Sequence, residues 1–310
     1  MRGIFPTLII GLSVLVSCST NPYRKTNRVY KKQAKEYAKE LSRLPARENQ
    51  VESALNYGEY RVGTTNFNLR KPNFVVIHHT AQDSVQQTLK TFTLPRTQVS
   101  AHYVIDDNGE VYHMLNDYYR AWHGGIGKWG NTDDLNSTSI GIELDNNGKE
   151  GFSEAQVKSL IDVLEILKEK YGIPTANFIG HSDIAPTRKV DPNKNFPWKE
   201  LAEKGYGHWY DEAEVEKLQF EDEFFEAYPL DFPVHPELDF ELDFLDELMF
   251  PEMVPSGFDY LMALRIIGYD ISDPVAAVRA FKLHFIQENT DPVLSNYELK
   301  VLYSLYRKYL

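Results

Sequence analysis

The chain has 310 residues, 42% of them apolar, and a formal net charge of −12. That apolar fraction supports a buried core and excludes wholesale disorder, and at roughly 150 residues per domain the length predicts two domains. The charge is local: residues 211–252 hold 16 Asp or Glu against one Lys, which leaves 32 basic and 29 acidic residues elsewhere and excludes a chain-wide signature for nucleic-acid binding.

The N-terminus carries a targeting pattern. Arg2 precedes a mostly apolar run, Ile4 to Val16, of signal-peptide length and too short to span a membrane comfortably. Leu15-Val16-Ser17-Cys18 resembles a bacterial lipobox, so residues 1–17 are expected to be a lipoprotein signal peptide and Cys18 the lipidated first residue of the mature chain. Ser19 in the next position suggests sorting to an outer membrane, facing the periplasm. Cys18 is also the single cysteine, which excludes a disulfide framework and a cysteine nucleophile in the folded body. Residues 18–60 read as a tether. Its basic residues between Arg24 and Lys35 either lie near anionic head groups or form a solvated linker, and residues 36–60 read as a charged helix followed by irregular chain.

Order begins at Lys71. Phe74-Val75-Val76-Ile77 is a continuous apolar run bounded by polar residues, as a buried strand should be. Val85, Leu89 and Phe92 recur at helical spacing and stop before Pro95. Ala101–Ile105 and Glu110–Met114 flank Asp106-Asp107-Asn108-Gly109, a hairpin signal. Ser139–Leu144 reads as a strand. Ser153-x-x-Gln156 is a capping box opening a helix with the stripe Val157, Leu160, Ile161, Leu164 and Leu167, which Gly172 and Pro174 end. Asn177–Gly180 is a further strand. Strands interleaved with helices predict an α/β fold, a mixed central sheet flanked by helices. The acidic stretch 211–252 interleaves Phe220, Phe224, Phe225, Phe232, Phe240, Phe244 and Phe250 with carboxylates. The last 55 residues predict three helices in a small domain that is short of core by itself.

His78, Glu143 and His181 fall at or just beyond the carboxyl ends of predicted strands, where α/β sheets form ligand crevices, and Asp191 follows His181 by ten residues. Two imidazoles and a carboxylate can hold zinc and leave a fourth position for water. By spacing alone a lone histidine beside a strand is more often structural, and the helical His-Glu-x-x-His pattern of metalloproteases is absent.

Five motifs occur in order: Val76-Ile77-His78-His79-Thr80-Ala81, Ser100-Ala101-His102-Tyr103, Ala121-Trp122-His123-Gly124-Gly125, Ser139-Ile140-Gly141-Ile142-Glu143-Leu144, and the run from His181 to Pro192. Together they resemble the type-2 N-acetylmuramoyl-L-alanine amidases, relatives of the peptidoglycan recognition proteins. The resemblance covers roughly residues 70–210 and places the catalytic domain at 61–210. It implies one zinc per chain, with ligands His78, His181 and Asp191, and Glu143 and Lys189 as catalytic groups. His79, His102, Trp122 and His123 become candidates for contacting substrate; the alternative for Trp122 is a core residue. Tyr103 reads as core, and His113, His208, His235 and His284 receive no role. The implied partners are peptidoglycan and its muropeptides, plus a membrane through Cys18, with a monomeric protein and no nucleic acid.

Residues 256–310 more loosely resemble a three-helix peptidoglycan-binding domain through Ile267-Gly268-Tyr269-Asp270, Val278–Phe285 and Leu302–Tyr306. The acidic-aromatic stretch, 211–255, is then a linker or insertion. A rival reading is a peptidoglycan-binding module without catalysis, against which the complete set of His78, His181, Asp191, Glu143 and Lys189 argues.

Overall fold

The computed structural model describes residues 21–42, 69, 71–227 and 252–310. The chain divides into two compact units, residues 1–68 and 69–310. The expected signal peptide, Cys18, residues 43–60 and the aromatics from Phe232 to Phe250 lie outside the described residues.

In the first unit the described element is helix α1, Arg24–Leu41. It begins within the basic run, earlier than the helix expected from residue 36. Straight-chain Lys, Arg, Gln and Glu with no internal Gly or Pro favour helix across the whole segment. No helix among the described residues is long and apolar enough to cross a membrane.

The second unit is built on a five-stranded sheet of order β3-β2-β4-β1-β5. Its strands are β1 (Phe74–His79), β2 (Tyr103–Ile105), β3 (Val111–His113), β4 (Ser139–Leu144) and β5 (Phe178–Gly180). β1 pairs in parallel with β4 and β5, and β2 with β4, while the β2–β3 hairpin is antiparallel. Its turn ends at Gly109, whose φ of +87° lies in the left-handed region that glycine reaches without strain. Helix α2 (Val85–Thr93) follows β1 with Ser84 as N-cap, and α3 (Leu135–Thr138) leads into β4.

Alternation along the strands divides the side chains between two cores. Val75 and Ile77 of β1 and Ile140, Ile142 and Leu144 of β4 face helix α4 (Glu154–Tyr171), meeting Leu160, Leu164 and Leu167. Burying each of these aliphatic side chains is worth about 1.5–3 kcal/mol. Ser153 caps α4 by accepting from Gln156 N–H at 3.0 Å. Gln156 Nε2 then donates to the carbonyls of Ile105 and Asp145, tying the helix start to the sheet.

Phe74 and Val76 face the other way. There they share a core with Trp129, Ile179 and Ile184 and with the C-terminal helices α9 (Tyr260–Ile267), α10 (Pro274–Phe285) and α11 (Asn296–Lys308). Between β5 and α9 the described elements are α5 (His181–Ile184), α6 (Trp198–Glu203), α7 (Glu212–Lys217), β6 (Gln219–Phe220), α8 (Glu221–Ala227) and β7 (Met253–Val254); β6 and β7 pair in parallel. The C-terminal helices therefore complete their core against the sheet, which meets the shortage of apolar residues expected of so small a segment.

The junction has a buried polar pin. Asp183 of α5 is fully buried, and its carboxylate accepts from Gly180 N–H (2.7 Å), His284 Nδ1 (2.7 Å) and Tyr269 O–H (2.8 Å). His284 also stacks on Trp198 at 3.8 Å between ring centres.

Candidate functional site

The strand register assembles the site. Val76 lies opposite Gly141 and His78 opposite Glu143, so His78 and Glu143 project side by side on the face away from α4. On the other flank Ile77 pairs with Gly180, and the next residue, His181, opens α5. The following loop returns Asp191 to α5, where Ser182 N–H donates to the Asp191 carbonyl at 2.8 Å.

Three ligand-type atoms converge. His78 Nδ1 is 2.8 Å from His181 Nδ1 and 3.2 Å from Asp191 Oδ2, and His181 Nδ1 is 2.9 Å from the same oxygen. Among the described residues this is the one cluster of such groups able to hold a metal ion. Four-coordinate ligand bonds of about 2.0–2.1 Å place ligand atoms about 3.3 Å apart, close to this triangle. The proton placement also fits. His181 Nε2 lies 3.1 Å from the Gly124 carbonyl, which can only accept, so a neutral His181 carries its proton there and presents a lone pair at Nδ1. A bare nitrogen and a carboxylate pointing at the same spot suit a cation.

The electrostatics follow from burial. Desolvation, with the charge of His181 next, lowers His78 to about 4, so that ring is neutral at pH 7. Burial alone would raise Asp191, but the neighbouring imidazoles of His181 and His78 outweigh it and hold the carboxyl well below the usual range. Glu143 behaves oppositely. Burial raises it to about 8, the Asp191 charge adding to the effect and the Lys189 charge opposing it. Its Oε2 is sealed from solvent and finds no hydrogen-bond partner among the described residues. A buried carboxylate oxygen without a partner is costly and marks a group kept for chemistry rather than stability. Lys189 is half-buried, and its positive charge works against protonation of His78 and His79.

Of the residues expected to contact substrate, Trp122 is 52% exposed. His102 is corrected: it is fully buried, its Nδ1 accepts from Gly141 N–H and its Nε2 meets the Tyr119 carbonyl, so both nitrogens are taken up by main chain. His123 is likewise placed inward, 8% exposed beneath His78, with Nδ1 3.0 Å from His78 Nε2 and Nε2 3.1 Å from Ser139 Oγ. Burial first, then the charges of His78 and His102, lower its pKa well below the usual value. His79 is buried on the α4 side and accepts from Asn193 N–H at 3.0 Å, bracing the loop that carries Asp191.

Some contributors carried no signal in the sequence. Arg188 donates from Nε to the Ile126 carbonyl at 2.9 Å and from Nη2 to the Gly124 carbonyl, fastening the rim loop to the Asp191 loop. Asn136 Oδ1 accepts from the His123 and Gly124 amides at 3.1 and 2.8 Å. Asp183 sits within the motif run, but its partners Tyr269 and His284 lie some hundred residues away.

Comparison with known proteins agrees with this geometry. Residues 68–194 match the family model described as N-acetylmuramoyl-L-alanine amidase. The chain is 38% identical over 157 residues to the N-acetylmuramoyl-L-alanine amidase AmiD of Escherichia coli (strain K12), 46% of this chain and 56% of that protein. It spans about half the length of the curated relatives it matches. Among solved structures it resembles AmpDh3 from Pseudomonas aeruginosa, with 30% identity, a TM-score of 0.62 and coverage of 83% of this chain and 99% of that one. It also resembles E. coli AmiD in complex with the substrate anhydro-N-acetylmuramic acid-L-Ala-D-gamma-Glu-L-Lys, at 27% identity and a TM-score of 0.60, covering 80% of this chain and 94% of that one.

Proposed function

The chain belongs to the N-acetylmuramoyl-L-alanine amidase family, and from that premise we propose that it hydrolyses the amide bond between N-acetylmuramic acid and L-alanine in peptidoglycan or its muropeptide fragments, with one zinc ion held by His78, His181 and Asp191. The observation that carries this reading is the convergence of three ligand atoms beside Glu143, whose Oε2 is buried without a hydrogen-bond partner among the described residues.

Zinc at this site supplies a Lewis acid for the scissile carbonyl and increased acidity for the attacking water. Glu143 is placed to take the water's proton and deliver it to the departing nitrogen. Lys189 directs a fixed positive charge toward the carbonyl oxygen as negative charge develops there. Trp122 offers an exposed aromatic face on which a sugar can stack. The solved AmiD complex with an anhydro-muramyl peptide supports muropeptides as the ligand class. A binding module without catalysis would have no use for Glu143 and Lys189 beside a complete ligand set.

The same proposal includes a lipid anchor at Cys18 on an outer membrane facing the periplasm, resting on Leu15-Val16-Ser17-Cys18-Ser19. It also includes action as a monomer, and a glycan-holding role for residues 256–310 that rests on their helical motifs. Mass analysis of purified sacculi after incubation tests the central activity. Stem peptides beginning with L-alanine are expected from zinc-loaded protein, lost with a chelator and restored by zinc. Sacculi left intact by zinc-loaded protein would refute the catalytic reading.

A further inference from the structure

Ser139 decides which way a buried chain of hydrogen bonds runs. Its Oγ makes a short contact with the Leu135 carbonyl and a second contact, at 3.1 Å, with His123 Nε2. A carbonyl cannot donate, so the single hydroxyl proton of Ser139 goes to Leu135, and Ser139 Oγ must accept from His123 Nε2–H. The His123 ring is buried and contacts no carboxylate among the described residues, so it stays neutral and has no second proton. Its Nδ1 is therefore a lone pair and accepts from His78 Nε2–H at 3.0 Å. That leaves His78 Nδ1 bare, aimed at His181 and Asp191.

The surroundings are shaped for this ring. A Cβ on Gly141 would lie 2.3 Å from His123 Cγ, so a glycine interrupts the apolar strand β4 where the imidazole rests. Asn136 fixes the His123 backbone. The rings of His78 and His123 meet edge to face, 5.1 Å between centres.

We propose that His123 and Ser139 are positioning residues that hold the His78 proton on Nε2, so that Nδ1 is presented to the metal as a lone pair. Neither touches the reacting atoms. The relay starts at a main-chain carbonyl, and its direction is built into the fold. The inference rests on reading His78, His181 and Asp191 as the zinc site.

The test is zinc affinity, measured by chelator competition on the full chain, together with the visible spectrum of the cobalt(II)-substituted protein. Removing a hydrogen-bond partner of a ligating histidine typically lowers metal affinity by roughly 10–100-fold. His123→Ala should fall in that range and change the cobalt spectrum. His123→Asn, whose amide oxygen can occupy the place of Nδ1 and accept from His78, should restore affinity to within several-fold of the parent. Ser139→Ala should lose several-fold, and it decides the matter if His123→Ala fails to fold. Equal loss in His123→Asn and His123→Ala would make the ring a packing element and overturn the proposal. Unchanged affinity in Ser139→Ala would overturn it too. So would unchanged zinc affinity in His123→Ala with a raised KM for a soluble muropeptide, which would put His123 on the substrate. A parent protein without zinc affinity would refute the metal reading itself, whereas a zinc-binding parent with unaffected variants refutes only the relay.

Discussion

Tyr269→Phe isolates the pin between the C-terminal helices and the catalytic sheet. The substitution removes one hydroxyl and keeps the ring, so the edge-to-face contact with Trp129 at 5.0 Å between centres is retained. What is lost is the 2.8 Å hydrogen bond to Asp183 Oδ1, the one donor to that oxygen among the described residues; Gly180 and His284 both serve Oδ2. Asp183 is fully buried, so water does not replace the donor. A hydrogen bond to a charged group contributes about 1.5–3 kcal/mol, and leaving the buried oxygen unsatisfied puts the cost at about 2 kcal/mol. For a folded unit of this size that lowers Tm by roughly 4–8 °C. The melt is followed by circular dichroism in chelator, because metal bound to the native state would mask the loss. In a double-mutant cycle with Asp183→Asn, the two sites should couple by about 0.5–3 kcal/mol. A variant that melts with the parent, or strict additivity in the cycle, would refute the pin.

Glu143→Gln should keep zinc and muropeptide binding while kcat falls by roughly 10²–10⁴, read by steady-state kinetics alongside metal analysis; loss of zinc instead would make Glu143 a ligand. In metal-free protein Glu143 binds its proton more tightly folded than unfolded, since burial raises it to about 8. Stability should therefore decline as pH rises from about 6.5 to 8, by on the order of 1–2 kcal/mol at most, and urea denaturation of Glu143→Gln should lack that decline. Cys18→Ser should move the protein from the membrane fraction to the soluble one with the catalytic unit unchanged; continued tight membrane association would reject the lipobox.

Much of the catalytic sheet was legible because its signals are local. The apolar run Phe74–Ile77, the Asp106–Gly109 turn and the Ser153 cap each lie within a few residues of the element they specify, and β1, the β2–β3 hairpin and α4 follow them. His78, Glu143, His181 and Asp191 were legible as candidates because strand ends place side chains at the sheet edge, and the ordered motifs narrowed their roles.

The direction in which the other histidines face was settled only by packing. His102 and His123 stand in motifs as polar as that of His78, yet both turn inward, where Gly141, Tyr119 and Ser139 engage their nitrogens. Gly141 was the one local sign, since a glycine inside an apolar strand marks a close neighbour. His284 stood in the Val278–Phe285 motif with no role assigned to it. Its partner Asp183 is 101 residues away, and no sequence window spans that separation. The amino-acid sequence thus determined which segments become strands and helices and which side chains reach the sheet edge, because backbone preference and side-chain alternation act over short range. The tertiary structure alone decided that α9–α11 share a core with Phe74 and Val76, and which imidazole nitrogens are left free for a metal, because those outcomes depend on surfaces that meet only when the chain is folded.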